Sequence, residues 1–461
     1  MSLSDFSTSQ PSISSEQVAW LLKQQNIPVE TQSAQLTPAQ QQLQVVVLRD
    51  AEQYLCAIFA RNHILDLRAL NTQLNANYKA DSKHSSSLKV RLQVHDLPAI
   101  PDLLNLPCVY ATHLTELDDV LFESGSAGSL LKISADSFSQ LMKNSQALAF
   151  TAELPATNPN LLPSNLDVQH IKQAVQSLTT LRIKQRLEET LEIPPLSVTA
   201  QKVLRLRTDP NAYVDELTAI VETDPAMAAQ VMSWAASPYY AAPGKVRSIE
   251  DAIIRVLGFD LVINLALGLA LGKTLKLPNQ NASQNRDYWQ QAIYTASLIE
   301  GLVVAIPRQY RPEAGLAYLA GLLHSFGYVL LAHIFPSYFS LISQYLAANP
   351  HLQACYVEHF LLGITREQMG AWLMQHWQMP EELTVAIRQQ HNPDYQGPYA
   401  VYSQLTYLAT QLLAAQEGVT QDIPASLYES LHLTPTDAQQ ALDKVTAAEQ
   451  ALRLLAAQLS S

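Results

Sequence analysis

Hydrophobic spacing divides the chain into two regions of different period. From residue 14 to 150, short β-rich runs alternate with amphipathic helical ones. "SSEQVAWLLKQQ" opens on a Ser cap, with Val18, Leu21 and Leu22 at helical spacing. "LQVVVLRD" and "YLCAIFA" flank the turn-like Asp50-Ala51-Glu52-Gln53, which predicts a pair of strands. "LDLRALNTQLN" reads as a helix, and "PCVYA", "VLFES" and "SLLKIS" as further strands. Ser134 then caps the helical run "ADSFSQLMKNSQ".

Pro155, Pro159 and Pro163 in "ELPATNPNLLPSN" predict a linker over 151–166. Beyond it the period is helical almost to the end. "QHIKQAVQSLTTLRIKQRLEETL" runs up to a break at Pro194-Pro195. Asp224 caps a helix that has Pro225 at its first position, and Thr365 with Gln368 forms a capping box. The tail "PTDAQQALDKVTAAEQALRLLAAQL" reads as one amphipathic helix packed on the bundle. No internal repeat is visible. The expected fold class is multidomain: an N-terminal α/β domain with a mixed sheet (14–150), the linker, a larger all-α domain (167–410) and a C-terminal helical extension (411–461).

Composition narrows the function. The 461 residues are 48% hydrophobic and 15% charged, with a net charge of −12. A chain this acidic is a poor polyanion binder, so nucleic acid is not an expected partner. Cys56, Cys108 and Cys355 are scattered and odd in number, without a disulfide framework or a CxxC zinc signature, which points to a reducing cytoplasm. "MSLSDFSTSQPSISSEQ" lacks the basic and apolar regions of a signal peptide. Residues 314–357 contain no Asp, Glu, Lys or Arg, and "GLAYLAGLLHSFGYVLLAHIF" is long enough to span a bilayer. His324, Ser325 and His333 interrupt it, Pro336 follows, and no basic loop flanks it. A buried bundle helix is therefore expected, with no membrane partner.

Several chemistries are excluded by spacing. There is no GxGxxG and no GxSxG elbow. Gly272-Lys273-Thr274 ends like a phosphate-binding loop, but Leu267 stands where its first Gly belongs. Gly268 and Gly272 read as close helix packing, and the Met and Trp residues of "MQHWQMP" as core.

Five blocks, in order, carry a resemblance over about 193–405. They are "IPPLSVTAQKVLRL", "IVETDPAMAAQVMSWAASPYY", "VRSIEDAIIRVLGFDLVINLAL", "AYLAGLLHSFGYVLLA" and "GAWLMQHWQMPEELTVAIRQQHNP". This region resembles the HDOD family, a non-catalytic relative of the HD metal-dependent phosphohydrolases. Ala236 before Ser237 departs from the family's usual Asn. The resemblance implies that an active enzyme's first ligand His falls at Gln291, its metal-bridging Asp at Ser325, a later His at Arg366 and its final Asp at Thr410. Only His324 is retained, with His391 from a family His pair near the pocket. Ser cannot replace a bridging carboxylate, and Arg366 puts a positive charge where a cation would sit. His333, nine residues beyond His324 on one helix, would face the opposite way. No metal and no cofactor are therefore expected, and no enzymatic activity. His324, Arg366 and His391 are the expected residual pocket, with Arg366 suiting it to an anion. The implied role is regulatory, binding a protein partner or a small ligand; the alternatives are a divergent HD phosphohydrolase and a tRNA-binding or editing protein.

Residues 14–145 resemble the YbaK/prolyl-tRNA-synthetase-associated domain that deacylates mischarged tRNA. The carriers are "LQVVVLRDAEQYLCAIFARNHILDLRALN" and "FESGSAGSLLKISADSFSQL". Gln44 stands near the Lys of active members, and Gly125 is the first glycine of the chain, so no earlier Gly-lined loop exists. Residues 79–91, "KADSKHSSSLKVR", hold four basic residues against one Asp. Residues 14–150 as a whole hold 10 Lys plus Arg against 13 Asp plus Glu, a balance of −3, so this stretch reads as a solvated basic turn.

Overall fold

A computed structural model of the chain describes residues 18, 22–33, 38–51, 53–124, 129–178, 195–207, 209–240, 244–272, 282–416 and 423–459. The chain divides into two compact units, one of residues 1–156 and 340–361, the other of residues 157–339 and 362–461.

The first unit is built on β1 (Glu30–Ser33), β2 (Leu43–Asp50), β3 (Gln53–Ala60), β4 (His63–Leu65), β5 (Lys79–Ala80), β6 (Cys108–Ala111), β7 (Asp119–Glu123), β8 (Ser129–Ser134), β9 (Gln146–Leu148) and β10 (Thr151–Glu153). Five of them form a mixed sheet in the order β5-β2-β3-β6-β9. The predicted hairpin is present: β2 and β3 pair antiparallel from Leu43↔Ala60 to Asp50↔Gln53. β3–β6 and β6–β9 are parallel; β2 and β3 are inner strands of the sheet, and both are near-continuous apolar runs that are mostly buried. β1-β8-β7 and β10-β4 make two smaller antiparallel sheets. Asp66 and Asp81 cap the helices Leu67–Leu74 and Ser82–Leu92, and Ser134 caps Ala135–Leu141 as its sequence predicts. Most of the first predicted helix, and Gly125, lie outside the described residues.

The second stretch of this unit was not foreseen. Residues 340–361 carry most of the helices Pro336–Ala348 and Ala354–Leu362, and Tyr345, Ala348 and Val357 join the same hydrophobic core as β2 and β3. The division expected from sequence, with one continuous helical domain over 167–410, thus gives way to an α/β unit completed by a later segment.

The 151–166 segment is not a loose linker either. Thr151–Glu153 is a strand paired with β4, and residues from 157 onward belong to the second unit. Pro159 and Asn160 are buried there.

Among its described residues the second unit is wholly helical. Helix Ala282–Ala305 packs against Ala314–Leu323, Ala400–Gln416, Pro435–Ala447 and Glu449–Leu459, while Arg366–His376 packs against Phe326–Ile334 and Glu381–Gln389. Asp224 caps Pro225–Ala235 and Thr365 with Gln368 closes a capping box, both as predicted. The tail is two helices broken at Ala448 instead of one, and both lie on Ala282–Ala305. Ala314–Ile334 passes the length and hydropathy test for a membrane span, and 83% of that window is buried within the protein. It is also not one helix: it breaks at His324–Ser325, between Ala314–Leu323 and Phe326–Ile334. The expectation of His333 opposite His324 on a single helix is corrected accordingly; His333 is exposed on the second helix and His324 buried at the end of the first.

Candidate functional site

The break at His324–Ser325 is the centre of a polar cluster in the second unit. His324 Nδ1 lies 2.7 Å from the Gly321 carbonyl one turn back. A carbonyl only accepts, so Nδ1 carries the hydrogen and Nε2 keeps its lone pair. Burial lowers the imidazole's pKa to about 4, the Gly321 bond opposes this, and the charges of His391 and Arg366 reinforce it. His324 is therefore neutral near pH 7. Its own carbonyl accepts from Gln390 Nε2 at 2.9 Å, which fixes the end of helix Glu381–Gln389 against the break.

His391 follows directly. Its Nε2 donates to Glu367 Oε1 at 3.0 Å, with the Glu367 side chain 3% exposed and the His391 side chain 36%. Burial alone would raise the Glu367 pKa; the bond and charge of His391, with Arg366 beside it, hold it below the usual carboxylate range. Glu367 Oε2 is buried without a hydrogen-bond partner. Arg366 places its guanidinium carbon 4.9 Å from the centre of the Tyr328 ring, a cation–π contact.

Two glycines make the arrangement possible. A Cβ on Gly327 would lie 1.8 Å from the Arg366 carbonyl oxygen and 2.9 Å from the Gly370 nitrogen. Helices Phe326–Ile334 and Arg366–His376 thus cross backbone to backbone, and only hydrogen atoms fit between them. This crossing positions Arg366 and Glu367 beside the His324–Ser325 break.

The same helices carry a second, largely buried network. Arg388 meets Asp167 in two bonds, Nε to Oδ2 at 2.6 Å and Nη2 to Oδ1 at 3.1 Å. It also donates to the carbonyls of Asn160 and Leu162 at 2.6 and 2.7 Å. Gln368 completes the set, donating to Asp167 Oδ1 at 2.7 Å while its Oε1 accepts the Thr365 N–H. The segment 160–167 is thereby tied to both helices that carry the site.

The sequence-derived residues separate in the structure. His324, Arg366 and His391 come together, each acting electrostatically on the first. Gln291 is exposed, and Thr410 turns its hydroxyl back to the carbonyls of Thr406 and Tyr407 in its own helix. Among the described residues no group of three or more His, Cys, Asp or Glu could hold a metal ion. The donor set does not fit two divalent cations: Gln291, Ser325 and Thr410 carry no charge, and Arg366 carries the wrong one. Glu367, Gln390 and the Asp167–Arg388 pair were missed at the sequence level. Glu367 in particular looks like an ordinary acidic residue in a first helical turn.

Residues 193–393 match the HDOD domain. A solved protein of Marinobacter aquaeolei VT8, named as a signal transduction protein, is 40% identical, with 96% of this chain and 99% of its own covered and a TM-score of 0.85. That likeness extends over the α/β unit as well as the helical one. An HDOD domain protein of Geobacter sulfurreducens is 19% identical over 63% of this chain and 99% of its own, with a TM-score of 0.49. A protein of Treponema pallidum (strain Nichols) is 23% identical over 270 residues, 58% of this chain, and the chain spans 50% of that relative's length. None of these three assigns the strands of the first unit to a family of their own.

Proposed function

Residues 193–393 are an HDOD domain, and from that premise we propose that the chain is a non-catalytic signal-transduction protein whose helical unit binds a protein partner or a small ligand. One observation carries the reading. At the position where an HD hydrolase gathers metal ligands, the polar groups here are engaged with one another, with backbone and with aromatic surface. Glu367 is held by His391, Arg366 lies over Tyr328, and His324 donates to Gly321. A hydrolytic site needs carboxylates free to bind cations and activate water. The scaffold is kept without that chemistry, which leaves binding as its use. Half-exposed His391 and Arg366 are the groups that face a partner, and the cationic Arg366 suits an anionic group on it.

The first unit fits the same picture as a degenerate relative of the deacylase-associated domain. Gln44, near the Lys of active members, spends its amide on the Val45 carbonyl of its own strand at 3.3 Å. Three free, buried cysteines suit a reducing, cytoplasmic setting.

Two measurements test the proposal. Elemental analysis of protein purified without chelator should find no stoichiometric iron, manganese or zinc; two tightly bound ions per chain would overturn it. Arg366→Ala should lose cellular partners in affinity capture while keeping its thermal stability. Full partner recovery by a correctly folded variant would remove the site from the binding role.

A further inference from the structure

Basic residues gather in one part of the first unit. The end of the β2–β3 hairpin, β5 and the start of helix Ser82–Leu92 surround a cavity of about 450 Å³ lined by Arg49, Asp50, Asn77, Lys79, Ser82 and Lys83, with Ala51, Ala80 and Asp81 completing it. Arg49 and Lys79 are register partners across β2 and β5, so two cations stand side by side on one face of the sheet. Like charges directly opposite each other destabilise a strand pair. Lys83 adds a third cation to the same wall.

Two carboxylates, Asp50 and Asp81, line the same cavity. Asp50 accepts the Asn77 N–H at 3.2 Å. Asp81 is the helix cap, accepting the His84 N–H at 2.9 Å, and its other oxygen stands 4.0 Å from Arg49. Arg49 itself donates from Nε to the Ala51 carbonyl at 2.8 Å and lies over the Tyr54 ring. Lys79 and Lys83 form no ion pair among the described residues. Ser82, at the first position of the helix, completes the lining. The lining thus holds three cations, Arg49, Lys79 and Lys83, against two carboxylates, Asp50 and Asp81, a balance of +1.

We propose that this cavity is an anion site for a small phosphate-bearing molecule, held by Lys79 and Lys83 with Arg49 behind them. A phosphate set between Arg49 and Lys79 removes their repulsion and accepts from the ammonium groups of Lys79 and Lys83. The net charge of −12 argues for a compact anion and against a long polyanion, which the rest of the surface would repel. The proposal does not depend on the reading of the helical unit.

The test uses the full chain and radiolabelled inorganic phosphate in equilibrium dialysis, with adenosine monophosphate and a short single-stranded RNA as competitors. Saturable binding of one phosphate per chain is expected, with roughly tenfold weaker binding in the Lys79→Ala/Lys83→Ala variant. Both lysines are exposed, so that variant should melt at the wild-type temperature, and charge-keeping Lys79→Arg/Lys83→Arg should retain binding. Absence of saturable phosphate binding, or binding unchanged in the alanine variant, overturns the site. Competition by the RNA well below the concentration needed for the nucleotide overturns the assignment to a small molecule.

Discussion

Asn349 reads both backbone groups of Leu65. Its Oδ1 accepts the Leu65 N–H at 2.7 Å, and its Nδ2 donates to the Leu65 carbonyl at 3.2 Å and to the Tyr345 carbonyl at 2.9 Å. One edge of β4 is taken by β10; on the other, a carboxamide stands in for a further strand. Tyr345 extends the contact, donating to Asp66 Oδ1 at 2.6 Å and accepting the Arg68 N–H at 3.1 Å. His351 bonds the His63 carbonyl at 3.1 Å. Residues 340–361 therefore cover an edge that would otherwise be open to pairing with another chain. Asn349 is fully buried, so Asn349→Ala leaves two strand groups unsatisfied and should cost the first unit about 2–4 kcal/mol. Amide exchange at Leu65 gives the direct readout. Protection of that amide unchanged in the variant would contradict the role assigned to the carboxamide.

Gly327→Ala should be among the most damaging small substitutions in the helical unit. The atom that its Cβ would meet at 1.8 Å is the Arg366 carbonyl oxygen, which cannot swing aside as a side chain can. The two helices must separate, and overpacking of this kind costs about 1–3 kcal/mol or more. Thermal unfolding should drop by several degrees, and the His391–Glu367 bond should loosen with it. A wild-type melting temperature would mean that the helices do not cross as closely as described.

Removing one partner of the Asp167–Arg388 pair leaves a buried charge. The side chains are 9% and 3% exposed. Arg388→Met should therefore destabilise the second unit by about 3–5 kcal/mol, and Asp167→Leu by a similar amount. The double variant should cost less than the two singles together, because neither charge is then stranded. Strict additivity in denaturant unfolding would argue against a direct pair.

Much of this architecture is legible from local chemistry. The β2–β3 hairpin, the caps at Ser134 and Asp224, and the Thr365–Gln368 box follow from short-range patterns that tertiary structure left intact. The assignment of 340–361 was not legible, because Leu341, Tyr345 and Leu346 form the same apolar spacing whichever core they enter. The helix break at His324–Ser325 has no Pro beside it, and Gly321, a turn earlier, lies inside the first helix; the close passage of Gly327 and Gly370 is a tertiary fact. Helix ends in the first unit were hidden for a simpler reason. Asn75, Gln93 and Asn105 take the left-handed conformation that Gly usually marks. At the candidate site, the family pattern brought His324, Arg366 and His391 to notice. The acid that holds His391 sits in a first helical turn, where acidic residues are commonplace.

The pH dependence of the helical unit should show two opposing slopes. His324 is held down to about 4, first by burial, against an ordinary value of 6.5. The unfolded chain thus takes up the proton first, so this group removes stability as pH falls from about 6.5 to about 4. Glu300 behaves in reverse. Burial raises it to about 7 from 4.5, a shift only partly offset by Tyr240, whose hydroxyl lies 3.5 Å away. The folded state keeps this proton longer, so Glu300 removes stability as pH rises from about 4.5 to about 7. Each shift amounts to about 3 kcal/mol across nearly the same window, and in the wild-type protein they largely cancel. Glu300→Gln should expose the His324 slope, giving an unfolding free energy that climbs from pH 4.5 to 7. His324→Gln should expose the Glu300 slope, giving one that declines over the same range, whatever its effect on absolute stability. Urea unfolding at half-unit steps of pH decides the matter: two variants with the same profile as the wild type would show that neither group titrates as its surroundings dictate.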